Sequence, residues 1–222
     1  MHLEFFEENA KKLRLYLAGV GTVGKKLLNI LSEISNSKLL LVCVLRSNKM
    51  VINQNGINPK KAVQLLEKYG ENFDINTILE TGEFFENKIF IDCTTSEKLA
   101  KSYPDILNKG FSIVAANKKA NTLGIDHYNE IHTIVTDSSV YFKYETNVGA
   151  GLPVISTIKS LIASGDKIHK IEGVLSGTLS YLFNLFDGKI PFSELVIKAK
   201  ESEYTEPDPR EDLNGIDVAR KL

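Results

Sequence analysis

Apolar residues in this chain fall into short runs separated by polar, glycine-bearing breaks. The run Leu13–Ala18 predicts a buried strand, and it leads directly into Gly19-Val-Gly-Thr-Val-Gly24. Lys25–Leu31 then has the apolar spacing of a helix. The alternation continues downstream. Strands are expected over 39–45, 88–92, 110–116 and 140–144, and helices over 59–69, 97–109 and 124–137. Asn55-Gly56 marks a turn in an otherwise uninformative stretch, 50–87. Strands that alternate with helices imply parallel pairing and a Rossmann-type doubly wound α/β sheet.

The pattern changes near residue 150. A helix over 153–163 is followed by Lys167–Leu175, where apolar and polar residues alternate as in a sheet with one wet face. Helices are expected at 179–186 and 191–203. Pro207 and Pro209 then fix an extended segment, and a last helix starts with Asp212 or Asn214 as its cap. The expected organisation is a polar lead-in at 1–12, a nucleotide-binding domain at 13–150 and an incomplete α+β substrate region at 151–222.

Composition narrows the function classes. The chain has 222 residues and a net charge of −1, so no general electrostatic attraction to nucleic acid or an anionic membrane is expected. No apolar run reaches membrane-spanning length. The N-terminal residues are acidic and lack a signal-peptide pattern. Cys43 and Cys93 each sit inside an apolar run and read as buried free thiols. A soluble cytoplasmic protein follows from these features.

The candidate chemistry is concentrated where strands end. In the setting strand, GxGxxG, helix, Gly19 permits a tight turn and Gly21 lets backbone approach a pyrophosphate. Gly24 permits close helix–strand packing, while Thr22 and Val23 open the helix that faces the phosphates. The bland alternative is a glycine-rich turn that binds nothing. The second strand ends in Arg46-Ser47-Asn48-Lys49 without the carboxylate that NAD sites use for the ribose. Arg46 and Lys49 can receive a 2′-phosphate, so NADP(H) is expected over NAD(H), unless these are merely exposed loop charges. Cys93-Thr94-Thr95-Ser96 and Asn117-Lys118 follow two further strands. Thr95 or Ser96 can also be simple helix caps, and Lys118 can be an ordinary exposed lysine. The loop Glu145–Pro153 has one carboxylate and glycines that free the backbone, which suits a monovalent cation held by oxygen atoms, or simply a turn before a helix. Gly177 and Thr178 open a helix where a substrate carboxylate can dock, with plain capping as the alternative. Glu206, Asp212, Asp217 and Lys221 are expected to converge on one pocket able to hold a small zwitterion, with an exposed acidic loop as the alternative. Asp217 and Lys221 lie four apart on one helix face, a spacing that also makes ordinary surface ion pairs.

Four stretches in order carry a family resemblance: Ala116–Thr122 (Ala-Asn-Lys-Lys-Ala-Asn-Thr), Tyr144–Pro153, Gly173–Leu182 and Tyr204–Lys221. Together they resemble homoserine dehydrogenase over nearly the whole chain from residue 13. Cys93–Ser96 and Ser47–Lys49 look like the branch fused to an aspartate kinase, which would make residues 1–12 the remains of a linker. The resemblance implies an NAD(P)-dependent interconversion of aspartate 4-semialdehyde and homoserine, a step towards threonine, methionine and isoleucine. It implies that Gly19, Gly21, Val23 and Gly24 hold the pyrophosphate, with Thr94 and Asn117 near the nicotinamide. It implies that Glu145, Val148, Ala150 and Leu152 line a site for Na+ or K+. Thr178, Tyr204, Glu206, Asp212 and Asp217 would bind the amino-acid substrate, and Lys118 and Lys221 would be the catalytic lysines. Family members continue well beyond this length. The remainder is expected to complete the substrate sheet and to make most of a homodimer or larger assembly. The rival readings are a non-catalytic NADPH-binding fragment and a reductase of another small amino-acid aldehyde or imine. A structural or interaction protein is the remaining alternative.

Overall fold

The chain divides into two compact units, Met1–Tyr144 and Glu145–Leu222. The structure is a computed structural model that describes residues 12–34, 38–205 and 208–222, with the side chain of Glu211 outside that description. The lead-in over 1–11, Glu206 and Pro207 lie outside the described residues.

The first unit is built on strands β1 (Leu13–Ala18), β2 (Leu39–Arg46), β3 (Lys49–Ile52), β4 (Glu71–Asn72), β5 (Lys88–Asp92), β6 (Ser112–Ala115) and β7 (Phe142–Lys143). They form one sheet in the order β4-β3-β2-β1-β5-β6-β7. Strands β2, β1, β5, β6 and β7 run parallel. The helices are α1 (Thr22–Glu33), α2 (Ala62–Tyr69), α3 (Ile75–Gly82), α4 (Glu97–Lys101), α5 (Tyr103–Asn108) and α6 (Ile125–Asp137). Alternate residues of β1 explain why both faces are covered. Leu15 and Leu17 pack with Leu28 of α1 and Leu66 of α2. Tyr16 and Ala18 belong to the opposite core, with Ile78 of α3, Ile106 of α5 and Ile131 of α6. Such a two-faced strand is the mark of a doubly wound sheet.

Two departures from the sequence expectation have local causes. The expected helix over 97–109 is broken at Ser102, where Ser102 N–H reaches back only to Leu99. Pro104 has no N–H for the next helical bond and sits instead in the first turn of α5, where none is needed. Tyr103 is fully buried as a result of the new direction. The second departure is β3 and β4, which pair antiparallel at the sheet margin. Arg46 and Lys49 face each other across a two-residue link, Ser47–Asn48, which lacks the glycine that usually signals such a hairpin.

The second unit contains a 3-10 turn at Glu145–Asn147 and helices α7 (Val154–Ala163), α8 (Gly177–Leu185), α9 (Phe192–Glu201), α10 (Pro209–Leu213) and α11 (Ile216–Ala219). Leu182, Leu195 and Ala199 form its small core. The segment 167–175, expected as a strand, has no regular secondary structure, and Val174 is 83% exposed. Alternation supplies the two faces of a strand, whereas the ladder must come from a neighbour. The expected single C-terminal helix is two short ones. Asp208 caps the first through Arg210 N–H, and Gly215, at φ +78°, separates them.

Candidate functional site

The glycine turn of the first unit has the geometry its sequence requires. Gly19 adopts φ +90°, and a Cβ there would stand 2.8 Å from the Cys93 carbonyl group and 2.9 Å from Thr94 Cγ2. A Cβ on Gly24 would lie 1.9 Å from the Gly19 carbonyl oxygen. Both positions are closed to any side chain. Gly21 differs, because a Cβ there meets nothing within 4 Å. That open approach, with no side-chain cap and no acidic residue in the first turn of α1, fits a diphosphate over the helix N-terminus. Thr22 and Val23 are exposed at the same place.

Strand order puts the loop after β5 beside this turn. The chain leaves β1 for β2 on one side and returns to β5 on the other, so a crevice opens between the C-terminal ends of β1 and β5. The loop there is self-bonded. Asp92 Oδ1 accepts Thr94 N–H at 2.7 Å, Thr94 Oγ1 accepts Ser96 N–H at 3.0 Å, and Ser96 Oγ caps α4 through Leu99 N–H. Thr95 is exposed and Thr94 half-buried. Asn117, after β6, is buried with its whole amide engaged. Its Nδ2 donates to Asp92 Oδ2 and to Ser96 O, both at 3.0 Å, and its Oδ1 accepts Lys119 N–H at 3.0 Å. Lys118 is half-buried between these two fixed residues.

Asp92 is the residue that sequence reading passed over. It is fully buried and also accepts the Tyr103 hydroxyl at 2.8 Å. Burial raises its carboxyl above the usual range, against hydrogen bonds from Thr94, Asn117 and Tyr103 that favour the charged form. The signal available was an aspartate closing an otherwise apolar strand, Lys-Ile-Phe-Ile-Asp.

At the end of β2, Arg46 and Ser47 are exposed, and Arg46 has Glu67 at 3.8 Å across the surface. Arg46 stands directly opposite Lys49 in the ladder. Like charges in that register repel unless an anion lies between them.

In the second unit, Glu145 is a helix cap. Its carboxylate accepts Ile155 N–H at 2.9 Å and Ser156 N–H at 3.0 Å. The loop between has Gly149 at φ +74° and Ala150 at φ +52°. The Leu152 carbonyl accepts Val154 N–H, and Val148 N–H returns to the Glu145 carbonyl. A carboxylate and nearby carbonyls remain the oxygen donors that a hard monovalent cation takes.

Around α8 and the C-terminal helices, Thr178 meets Asp212 and Lys221 meets Asp217. Ser176 Oγ takes Leu179 N–H and so caps α8. That leaves Gly177 and Thr178 in its first turn. Thr178 Oγ1 lies 2.5 Å from the Tyr204 carbonyl and 3.0 Å from Asp212 Oδ1, and its single proton serves one of them at a time. Tyr204 stacks on Tyr181 with ring centroids 4.4 Å apart. Lys221 Nζ donates to Asp217 Oδ2 at 2.6 Å and to the Leu175 carbonyl at 2.7 Å. Its side chain is 17% exposed and that of Asp217 is 6% exposed, so the surface ion pair allowed by the spacing is instead a largely enclosed one. An open apolar groove on this unit is lined by Val174, Leu175, Leu179, Phe183 and Val218.

A doubly wound sheet with an open glycine turn, followed by a helical unit holding an enclosed lysine, defines a dinucleotide-binding protein with a second functional unit. Comparison with known proteins specifies the family. The homoserine dehydrogenase NAD binding domain matches residues 19–145, and the homoserine dehydrogenase family model matches 153–222. The chain belongs to the homoserine dehydrogenase family. It is 42% identical over 231 residues to a chloroplastic bifunctional aspartokinase/homoserine dehydrogenase 2 of Zea mays, covering 100% of this chain and 25% of that protein. It is 40% identical over 224 residues to homoserine dehydrogenase of Emericella nidulans, covering 94% of this chain and 60% of that one. A hyperthermophilic archaeal homoserine dehydrogenase in complex with NADPH shares the fold, with a TM-score of 0.77 and 22% identity over 95% of this chain and 67% of that chain. The chain thus spans between a quarter and about two thirds of these three proteins.

Proposed function

We propose that this chain carries the coenzyme-binding and amino-acid-binding parts of an enzyme that interconverts L-aspartate 4-semialdehyde and L-homoserine. The observation that carries the reading is Lys221, an enclosed ammonium with two protons committed to Asp217 and Leu175 and a third left for a substrate oxygen. In the reducing direction, a bound reduced nicotinamide supplies hydride to the aldehyde carbon. Lys221 stabilises the alkoxide that develops on the oxygen and gives it a proton, and Lys118 orients the substrate or shares that proton. Asp217 fixes the Lys221 ammonium. Thr178, Tyr204, Glu206 and Asp212 bind the amino acid, with Glu206 serving its ammonium group.

Gly19, Gly21, Thr22, Val23 and Gly24 cradle the pyrophosphate, and Thr94, Thr95, Asn117 and Lys118 line the nicotinamide end. The opposed Arg46 and Lys49, with Ser47 between, support NADP(H) over NAD(H). The NADPH bound by the archaeal relative is consistent with that preference. Glu145 with the carbonyls of Val148, Ala150 and Leu152 is the proposed Na+ or K+ site. The name of the Zea mays relative supports fusion to an aspartate kinase domain, and a homodimer or larger assembly is proposed for the whole protein. No helix among the described residues is long and apolar enough to cross a membrane. The free thiols Cys43 and Cys93 suit a reducing compartment, which we take to be the cytoplasm.

Oxidation of NADPH and NADH, followed in parallel with aspartate 4-semialdehyde as the second substrate, tests the reading. Substrate-dependent oxidation is expected, faster with NADPH. Coenzyme binding without oxidation would favour the non-catalytic fragment, and oxidation only with other amino-acid aldehydes or imines would move the substrate class.

A further inference from the structure

Apart from the Tyr103 hydroxyl, the groups that the Asp92 carboxylate holds lie in two loops. Through Oδ1 it fixes Thr94 N–H after β5, and through Oδ2 it fixes Asn117 Nδ2 after β6. Its main-chain carbonyl takes Ala116 N–H at 2.8 Å and Asn117 N–H at 3.3 Å. Asn117 then ties the first loop through the Ser96 carbonyl and the second through Lys119 N–H. A fully buried carboxylate is costly unless its oxygen atoms are satisfied, and an apolar residue would pack as well without that cost. Core packing alone therefore gives no reason for an aspartate here. The fourth partner comes from elsewhere. Tyr103 follows the helix break at Ser102, and its hydroxyl closes the carboxylate's shell at 2.8 Å. Tyr103 also rests edge-on against Phe142, with ring centroids 5.7 Å apart, so its position is set by packing independent of the loops.

We propose that Asp92 and Tyr103 are positioning residues for the nicotinamide end of the coenzyme, acting through Thr94, Asn117 and Lys118. The inference rests on the dinucleotide-binding reading above and deepens it. Asp92 locks the two loops beside the crevice between β1 and β5, and Tyr103 locks Asp92. Asn117, whose amide is spent on this bridge, contributes by holding its neighbours. The Thr94 hydroxyl accepts Ser96 N–H and is itself hydrogen-bonded to the Asp92 carboxylate, so the side chain is held in the same lock as its main chain. The pyrophosphate turn at Gly19–Gly24 makes no hydrogen bond to the Asp92 carboxylate among those described and meets its loop only where Gly19 packs on Cys93 and Thr94, so the effect is expected chiefly at the nicotinamide half of the coenzyme.

The test uses the full-length protein with Tyr103→Phe or Asp92→Asn. NADPH is titrated by its fluorescence and 2′-phospho-ADP-ribose, which lacks the nicotinamide, by calorimetry, with NADH and ADP-ribose in parallel. Tyr103→Phe is expected to weaken NADPH by about fivefold and to leave 2′-phospho-ADP-ribose largely unchanged, a shift of about the net worth of one ordinary hydrogen bond. Asp92→Asn should be worse, because its amide would face the Asn117 amide and the Tyr103 hydroxyl with a donor. A melting temperature that falls while NADPH affinity holds, or equal weakening of both ligands, would overturn the inference. If Asp92→Asn does not fold, Tyr103→Phe decides alone, since the ring and its packing on Phe142 are retained. If the unsubstituted protein binds neither NADPH nor NADH, the dinucleotide reading fails and takes this inference with it.

Discussion

Lys221 donates to the main-chain carbonyl of Leu175, 2.7 Å away and 46 residues earlier in the chain. The bond ties the residue before the α8 cap to the C-terminal turn, and Asp217 shares the same ammonium. Lys221→Ala should reduce kcat by about 10²–10⁴, the usual worth of a positioned proton donor. It should also lower the melting temperature, because Asp217 is left buried without its cation. Steady-state kinetics with thermal melts check both, and near-normal turnover would remove Lys221 from the mechanism.

The glycine turn separates binding from folding. Gly21→Ala places a methyl in open space at an ordinary φ of −75°, so the melting temperature should hold while coenzyme affinity falls. Gly24→Ala drives a Cβ into the Gly19 carbonyl and should cost about 1–3 kcal/mol of stability, as overpacking does. Calorimetry alongside coenzyme titration distinguishes the two effects.

Glu203 sits in the left-handed region at φ +58°, just past α9, where Tyr204 N–H returns to Ala199 O. A glycine is the usual residue in that closing motif. Glu203→Gly should stabilise the protein by about 1 kcal/mol, measured by chemical denaturation. A loss of stability would show that the glutamate side chain contributes more than its backbone strain removes.

Burial, with Asp92 beside it, pushes the Cys93 thiol up to about 11. The thiol is therefore the favoured form through neutral pH, and thiolate appears only as pH approaches that value. Alkylation by iodoacetamide should be slow at pH 7–8 and rise steeply towards pH 11, read by mass spectrometry under native conditions. Rapid labelling at neutral pH would contradict the assignment.

Glu145→Ala removes the carboxylate that caps α7 and should cost about 1 kcal/mol, as loss of a cap does. If the same carboxylate holds a cation, the parent protein should melt higher in sodium or potassium chloride than in tetramethylammonium chloride, and the variant should lose the difference. Equal melting of the parent in all three salts would remove the cation from the loop.

The nucleotide fold was legible because it depends on local signals: apolar runs, a glycine turn after a strand, and residues at strand ends. The β3–β4 margin was not, since a four-residue strand and a two-residue strand have too little pattern to stand out. The break at Ser102 was hidden in a run with good helical spacing, although Pro104 was its visible cause. In the site, the i,i+4 spacing put Asp217 and Lys221 on one face, but their enclosure depends on Leu175, far away in sequence. Asp92 escaped notice because its partners Tyr103 and Asn117 converge only after the sheet forms. The stretch 167–175 shows the converse, since its alternation is strand-like but it forms no strand among the described residues.

The sheet's two margins have a further consequence. Each is a strand of only two residues, Glu71–Asn72 on one side and Phe142–Lys143 on the other. Such short borders offer a visiting strand very few unsatisfied main-chain groups, and each carries a charged residue. Among the described residues, a second copy can meet this unit by side-chain contact but finds only a short rail on which to extend the sheet.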